Sequence, residues 1–294
     1  MKPAPFEYYR ASTLDDAVAL LTKHGSDAKA LAGGQSLLPL MKLRLARPAA
    51  LVDLNRLREL AYVRREDGVL AFGALARLSE LQSPTVRSLA PMLAAAARHI
   101  GHPAIRHRGT ICGSLAHADP AAELPVLALT LGAELRVTGS AGERTIAARD
   151  FFVGALTTSL RPGEVLREAR FPGLAPGVGW SFMELARRHG DYALVSVAIV
   201  LRADANGRVS EARIALGSVA DRPVRCDAAE RALVGEAGRR VAFEAAAATA
   251  AAPLDPPSDV HGSGAYRRRL AAVLVERALA EAWSRTAVGG APRS

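Results

Sequence analysis

Two glycine-rich segments, at residues 31–37 and 109–114, carry small residues and hydroxyls at spacings suited to anion binding. The first segment has the sequence LAGGQSL and the second has the sequence GTICGS. Because glycine lacks a Cβ, loops of this kind can present several backbone N–H groups to one anion. Two such loops in one chain predict a ligand that carries two phosphates, such as a dinucleotide.

The first segment fits neither of two common nucleotide-binding loops. It lacks the GxxxxGK[ST] pattern of the P-loop and the GxGxxG pattern of the Rossmann fingerprint. Asp53 follows Gly33 at roughly the spacing of a ribose-binding acid, but its place at the end of a strand also allows a structural role. From this segment alone, an ordinary turn and a phosphate cradle both stay open.

The whole composition is that of a folded protein of two or three units. The chain has 294 residues, of which 50% are hydrophobic, and no apolar run reaches the ~18 residues of a membrane helix. Its only cysteines, Cys112 and Cys226, cannot build a disulfide framework or a four-thiolate iron–sulfur site. Together with the polar residues at positions 1–10, these features predict a cytoplasmic protein.

The net charge of +9 comes almost entirely from arginine, which is spread along the chain. No basic stripe interleaved with aromatic residues is present, so nucleic acid is not expected as a partner. A solvated surface and a face for an acidic protein partner both remain open. The run Arg267-Arg268-Arg269 is a candidate subunit contact.

Hydrophobic periodicity and turn residues divide the chain into three units, 1–57, 58–176 and 177–286, each of which contains both helices and strands. A strand at 29–32 leads into the first glycine loop, and a helix at 39–44 follows it. Asp67-Gly68 predicts a hairpin between 60–63 and 69–72. The remaining predictions are helices at 12–24, 78–81 and 91–99, a buried strand at 50–53, a helix opening at 120–123, strands at 134–138, 143–146, 166–171, 194–202 and 209–217, helices at 227–251 and 266–283, and a disordered tail from residue 286.

Five segments in order resemble the FAD-binding medium subunit of molybdenum hydroxylases, and carbon monoxide dehydrogenase medium subunits in particular. They cover nearly the whole chain, from about Phe6 to about Ala282. Their sequences are LAGGQSLLPLMKLRLARPAALVDLNRL, RHRGTICGSLAHADPAAELP, TTSLRPGEVLREARFP, SFMELARRHGDYALVSVA and DVHGSGAYRRRLAAVL. The resemblance implies an α+β protein, with a two-subdomain FAD-binding fold of the vanillyl-alcohol-oxidase type followed by a C-terminal α+β domain.

The resemblance also implies which residues contact FAD. In the second loop Cys112 stands where the family motif T-[IV]-G-G-[SN] has its first glycine, so this position tolerates a Cβ, and a small buried thiol is expected there. Asp119 and Glu123 would bind sugar hydroxyls, although Asp119 also suits a helix cap. Tyr192 would stack on the isoalloxazine ring or belong to the core, and Leu166 would touch the flavin or pack in the core. The implied contacts are Leu31, Ala32, Gly33, Gly34, Gln35, Ser36, Leu37, Thr110, Ile111, Cys112, Gly113, Ser114, Asp119, Glu123, Leu166 and Tyr192.

The implied function is electron relay inside a three-component enzyme. A large subunit would carry molybdopterin, a small subunit would carry two [2Fe–2S] clusters, and the assembly would be a dimer of heterotrimers. In this chain we expect FAD but neither a catalytic residue set nor a metal site. One alternative is a stand-alone FAD-dependent oxidase or dehydrogenase of the same fold, and another is a binding module that has lost its flavin. The substrate and the electron acceptor stay open.

Overall fold

The first part of the chain forms a small parallel sheet with two helices in the computed structural model, which describes residues 2–289. Its elements are β1 (Glu7–Arg10), α1 (Leu14–His24), β2 (Ala28–Leu31), α2 (Leu37–Lys42) and β3 (Ala50–Asp53). β3 lies between β1 and β2 and pairs with both in parallel. Every residue of β3 is buried, as expected for a central parallel strand.

The second part folds around an antiparallel five-stranded sheet in the order β4-β5-β10-β6-β7. The turn between β4 and β5 has Asp67 at φ 48° and Gly68 at φ 80°, the left-handed pair that a tight hairpin requires. Its elements are β4 (Val63–Glu66), β5 (Val69–Gly73), α3 (Pro84–Leu89), α4 (Pro91–Ala96), α5 (Pro103–Arg108), α6 (Ile111–His117), α7 (Glu123–Leu131), β6 (Glu134–Gly139), β7 (Gly142–Ala147), α8 (Ala148–Phe151), β8 (Phe152–Gly154), β9 (Thr157–Thr158) and β10 (Val165–Pro172).

The third part is an antiparallel four-stranded sheet in the order β11-β12-β13-β14, with helices on one face. Its elements are β11 (Gly179–Ala186), β12 (Ala193–Ala203), β13 (Val209–Gly217), β14 (Val224–Arg225), α9 (Asp227–Leu233), α10 (Arg240–Ala251) and α11 (Gly264–Ser284). The other face packs on α7, every residue of which is buried. This position between the four-stranded and five-stranded sheets explains why α7 is apolar on all sides.

The α+β class is confirmed, and most predicted elements are present, but some predictions were wrong. β1 and β11 were not predicted. β4 begins at Val63 rather than Leu60, because Leu60 belongs to a short 3₁₀ turn buried in the core of the first part. The single helix over 227–251 is two helices, since Gly235 in the connection adopts φ +87°, a left-handed conformation that ends a helix.

Two expectations about the C-terminal region also need correction. Arg267 is 5% exposed and donates to the carbonyl of Leu194 and to Asp259, at 2.7 Å in each case, so it is a structural residue rather than a free contact surface. Disorder from Thr286 is wrong for residues 286–289, because Thr286 is buried and hydrogen-bonded to Trp283; residues 290–294 lie outside the described range. Within residues 2–289, no helix is both long and apolar enough to cross a membrane.

Candidate functional site

The first glycine loop connects the end of β2 to the start of α2. Its N–H groups at residues 33–37 donate no hydrogen bond to any atom of the described chain. Gly34 adopts φ +72°, and a left-handed residue in such a loop turns successive N–H groups toward one side. The hydroxyl of Ser36, the residue before α2, makes no capping bond. A row of unused donors at a helix start is an arrangement that binds phosphate.

The second glycine loop is the first turn of α6 rather than an irregular loop. The side chain of Thr110 caps this helix by accepting from the N–H of Gly113 at 3.1 Å. In residues 2–289, the N–H groups of Thr110 and Cys112 have no acceptor. These donors add to those of the first loop, because the two segments lie against each other.

The contact between the two segments is made by Gly33. A Cβ on Gly33 would lie 2.4 Å from the carbonyl oxygen of Arg108, 2.7 Å from the Cα of Gly109 and 3.0 Å from the nitrogen of Thr110. All three are backbone atoms, which cannot turn aside as a flexible side chain can. Glycine is therefore required at residue 33 for the two loops to meet. The structure brings together the two segments that the sequence predicted as the walls of one site.

Two residues that sequence analysis missed hold this contact in place. The guanidinium of Arg77 donates to the carbonyl of Arg108 and, at 3.1 Å, to the side-chain oxygen of Asn55. The side-chain amide of Asn55 donates to the carbonyl of Ala32 at 2.8 Å. Asp53 orients Asn55 by accepting its backbone N–H at 2.9 Å, so the role of Asp53 here is structural. No local sequence pattern marks the contacts of Arg77 or the bond from Asn55 to Ala32, since each of these joins residues more than twenty positions apart in the chain.

Cys112 is a buried structural thiol, as the sequence predicted. Its side chain is directed toward the carbonyl of Phe72, at 3.5 Å from Sγ, and burial raises the pKa of the thiol far above its ordinary value. Residue 112 lies in a helix with an ordinary negative φ. A Cβ is therefore accommodated where the family motif has glycine, and the thiol leaves the N–H group unobstructed.

Asp119 and Tyr192 lie together beyond α6. Asp119 accepts the backbone N–H of Ala121 at 2.9 Å, which closes a turn. The residue at the cap position of α7 is Ala122, so Asp119 is not the cap of that helix. Tyr192 is 63% exposed, so the alternative of a core tyrosine is wrong. Burial of its hydroxyl end and the charge of Asp119 raise the pKa of Tyr192 to about 12. An exposed ring beside an acidic group can stack on a planar ligand while the acid accepts hydroxyl protons.

Glu123 begins α7 and is only 7% exposed. Burial and the charge of Glu184 raise the pKa of Glu123 to about 8. Glu184 lies on β11 and pairs with His99, whose Nδ1 is 3.3 Å from the carboxylate. Sequence analysis did not connect Glu184 and His99 with Glu123, because the three residues come from different parts of the chain.

Leu166 lies at the start of β10, 4% exposed in the core of the second part. Its side chain offers little surface to a ligand, and its contact with the flavin stays a prediction. Among the described residues, no group of three or more histidine, cysteine or acidic side chains could hold a metal ion.

Comparison with known proteins agrees with this geometry. The family model for the FAD binding domain in molybdopterin dehydrogenase matches residues 4–174. The model for the CO dehydrogenase flavoprotein C-terminal domain matches residues 180–282. The first match contains both glycine loops, and the second contains Glu184 and Tyr192.

Individual relatives match along almost the whole chain. Subunit alpha of the 6-hydroxypseudooxynicotine dehydrogenase complex of Paenarthrobacter nicotinovorans is 44% identical, over 97% of each chain. The carbon monoxide dehydrogenase medium chain of Hydrogenophaga pseudoflava is 42% identical, over 98% of this chain and 100% of that one. A solved structure of the carbon monoxide dehydrogenase of the same organism matches with a TM-score of 0.95 at 43% identity, over 98% of this chain and 100% of that one. The chain therefore belongs to the family of FAD-binding medium subunits of molybdenum hydroxylases, with their two-subdomain flavin fold and C-terminal domain.

Proposed function

We propose that this chain is the electron-transfer subunit of a molybdenum hydroxylase, relaying electrons from [2Fe–2S] clusters of a partner subunit through FAD to an external acceptor. The observation that carries the proposal is the row of unused N–H donors at residues 33–37, packed against the start of α6. Such a site suits a pyrophosphate, and the family match supplies the identity of the ligand.

The residues of this chain would hold the cofactor along its whole length. Residues 31–37 and 110–114 would bind the pyrophosphate through backbone N–H groups, helped by the hydroxyl of Ser36. Asp119 and Glu123 would bind the sugar hydroxyls, and Tyr192 would cover the ring and limit access to it. When bound, FAD supplies the redox group that exchanges electrons with the clusters and with the acceptor. Catalysis by this chain would consist of positioning that group.

The expected partners are a molybdopterin-binding large subunit and a [2Fe–2S] small subunit, assembled as a dimer of heterotrimers in the cytoplasm. Two of the relatives are named as chains of multisubunit dehydrogenases, which supports an assembly of this kind. The large subunit would determine the substrate. The division of this chain at 57 and 176 remains a prediction.

The proposal is tested on natively purified chain together with everything that copurifies. We expect a yellow protein that releases FAD on heating, two further polypeptides and iron–sulfur absorption. Addition of substrate should reduce the flavin in the complex but not in the isolated, FAD-loaded chain. Reduction of the isolated chain by an alcohol or an amine would favour a stand-alone oxidase. A colourless chain that fails to bind added FAD would refute the assignment.

A further inference from the structure

The short helix α2 and the turn after it carry leucines that the rest of the fold leaves uncovered. None of the five leucines over residues 37–45 is buried, and Met41 is the only buried residue of α2. Leu43 is 59% exposed and Leu45 is 74% exposed. Neighbouring exposed apolar side chains with a polar rim mark surfaces that bind another molecule. We call Leu43 and Leu45, together with Lys42, Arg44 and Arg47, the leucine patch.

A defined backbone turn presents the two leucines of the patch. The N–H of Leu45 donates to the carbonyl of Leu40 at 2.9 Å, and the N–H of Ala46 donates to the same carbonyl at 3.3 Å. Between the leucines, Arg44 adopts φ +60°, the left-handed conformation that commonly ends a helix. The backbone that carries the leucines is therefore fixed, and their exposure follows from the fold.

The leucine patch lies in a basic stretch of the chain. No acidic residue occurs between Asp27 and Asp53, whereas Lys42, Arg44 and Arg47 all do, and all three are exposed. Within residues 2–289, none of these three cations forms an ion pair. An apolar centre with unpaired cations around it complements a partner face that is apolar in the middle and acidic at the rim.

The leucine patch adjoins the first glycine loop. α2 begins at Leu37, the last residue of that loop, and the N–H of Leu38 donates to the carbonyl of Gly34 at 3.1 Å. A helix of six residues is about 9 Å long. A molecule docked on the patch would therefore lie beside the unused N–H donors of the loop.

Two other occupants fit the leucine patch less well. Two copies of this chain in a symmetric contact would place the same cations against each other, which is repulsive. Helices that lie on anionic membranes bury a continuous apolar face along their length, whereas α2 has only six residues. An acidic protein partner remains, and two of the relatives are named as chains of multisubunit dehydrogenases.

We propose that the leucine patch docks the [2Fe–2S] partner subunit, through an apolar face of that subunit with an acidic rim. The inference rests on the proposed function, because this subunit is the electron donor of that function. An electron donor must bring its cluster close to the flavin, and the patch adjoins the loop that would hold the cofactor. Leu43 and Leu45 supply the apolar contact, while the three cations select the acidic rim and orient the subunit.

The experiment uses the full 294-residue chain, tagged and produced in its own cells so that the partner subunits are present. FAD and iron are measured per purified chain. Leu45→Asp and Lys42→Glu each place a negative charge in the leucine patch, which opposes both the apolar contact and the acidic rim. We expect both variants to keep FAD and to lose at least about nine-tenths of the iron, since a central interface contact commonly contributes tenfold or more in affinity.

Two matched controls make the same changes elsewhere on the surface. Val241→Asp changes a side chain that is 75% exposed, close to the 74% of Leu45. Lys23→Glu changes an exposed lysine in the last turn of α1, as Lys42 stands in the last turn of α2. Both controls should keep wild-type amounts of FAD and iron.

The outcomes separate this inference from the proposed function. Loss of iron with FAD retained, in the patch variants alone, supports the inference. Wild-type iron in both patch variants overturns it while FAD binding stands, and loss of FAD from them overturns it because the patch would then belong to the cofactor site. If the isolated wild-type chain self-associates or binds phosphatidylglycerol vesicles, and Leu45→Asp abolishes this, the patch belongs to another occupant and the inference is overturned. A wild-type chain that holds neither FAD nor iron refutes the proposed function, and the inference falls with it.

Discussion

Replacement of Gly33 by alanine tests whether contact between the two glycine segments creates the cofactor site. The added Cβ would lie 2.4 Å from the carbonyl oxygen of Arg108 and 2.7 Å from the Cα of Gly109. Carbon–oxygen contacts settle at about 3.3 Å, so the segments must separate by about 0.9 Å. No side chain can absorb this movement, because the contacted atoms are all backbone.

The expected cost has two parts. Overpacking of a tight contact lowers the free energy of unfolding by about 1–3 kcal/mol. Separation also moves the N–H groups at residues 33–37 relative to those at Thr110 and Cys112. A hydrogen bond to a charged group is worth about 1.5–3 kcal/mol. Loss of one such bond raises the FAD dissociation constant by about 10- to 100-fold.

The measurements are chemical unfolding of the cofactor-free chain and titration with FAD followed by flavin fluorescence. Gly154→Ala is the matched control, since a Cβ at residue 154 meets its nearest atom, Oδ2 of Asp221, at an ordinary 3.6 Å. We expect that control to keep wild-type affinity. A Gly33→Ala chain that binds FAD as tightly as the wild type would refute the two-walled site.

Three further predictions concern other contacts. Arg77→Met removes the link between the two glycine segments, and we expect at least about tenfold weaker FAD binding in the same titration; unchanged affinity would contradict the link. Relative to the wild type, Glu123→Gln should stabilise the cofactor-free chain by an amount that grows from pH 4.5 to about 8, because the raised pKa stabilises the wild type only while Glu123 is protonated. If this is wrong, urea unfolding will give the same difference in free energy between the two chains at every pH. Arg267→Met leaves the carbonyl of Leu194 without its donor and should lower the free energy of unfolding by about 2–4 kcal/mol. Arg269→Ala should lower it by under about 0.5 kcal/mol. Similar losses in the two variants would contradict the structural role of Arg267.

Features governed by neighbouring residues could be predicted from the sequence. Asp67-Gly68 indicated a hairpin because few other residues adopt left-handed φ without strain. The glycines at 33 and 34 indicated a backbone donor site, and the small thiol of Cys112 indicated burial. Boundaries were less accurate, as at Leu60, where packing against the first part of the fold overrides the strand pattern.

The sequence by itself determined the glycine segments and the family, because both depend on residue types at fixed spacing along the chain. Only the tertiary structure decided which backbone N–H groups of these segments have no acceptor, because that depends on where Gly33 meets the backbone of Thr110. It also decided the link made by Arg77 and the charge environment of Glu123. These properties arise from contacts between residues distant in the chain, where burial and Coulomb interactions act through space and leave no periodic signal in the sequence.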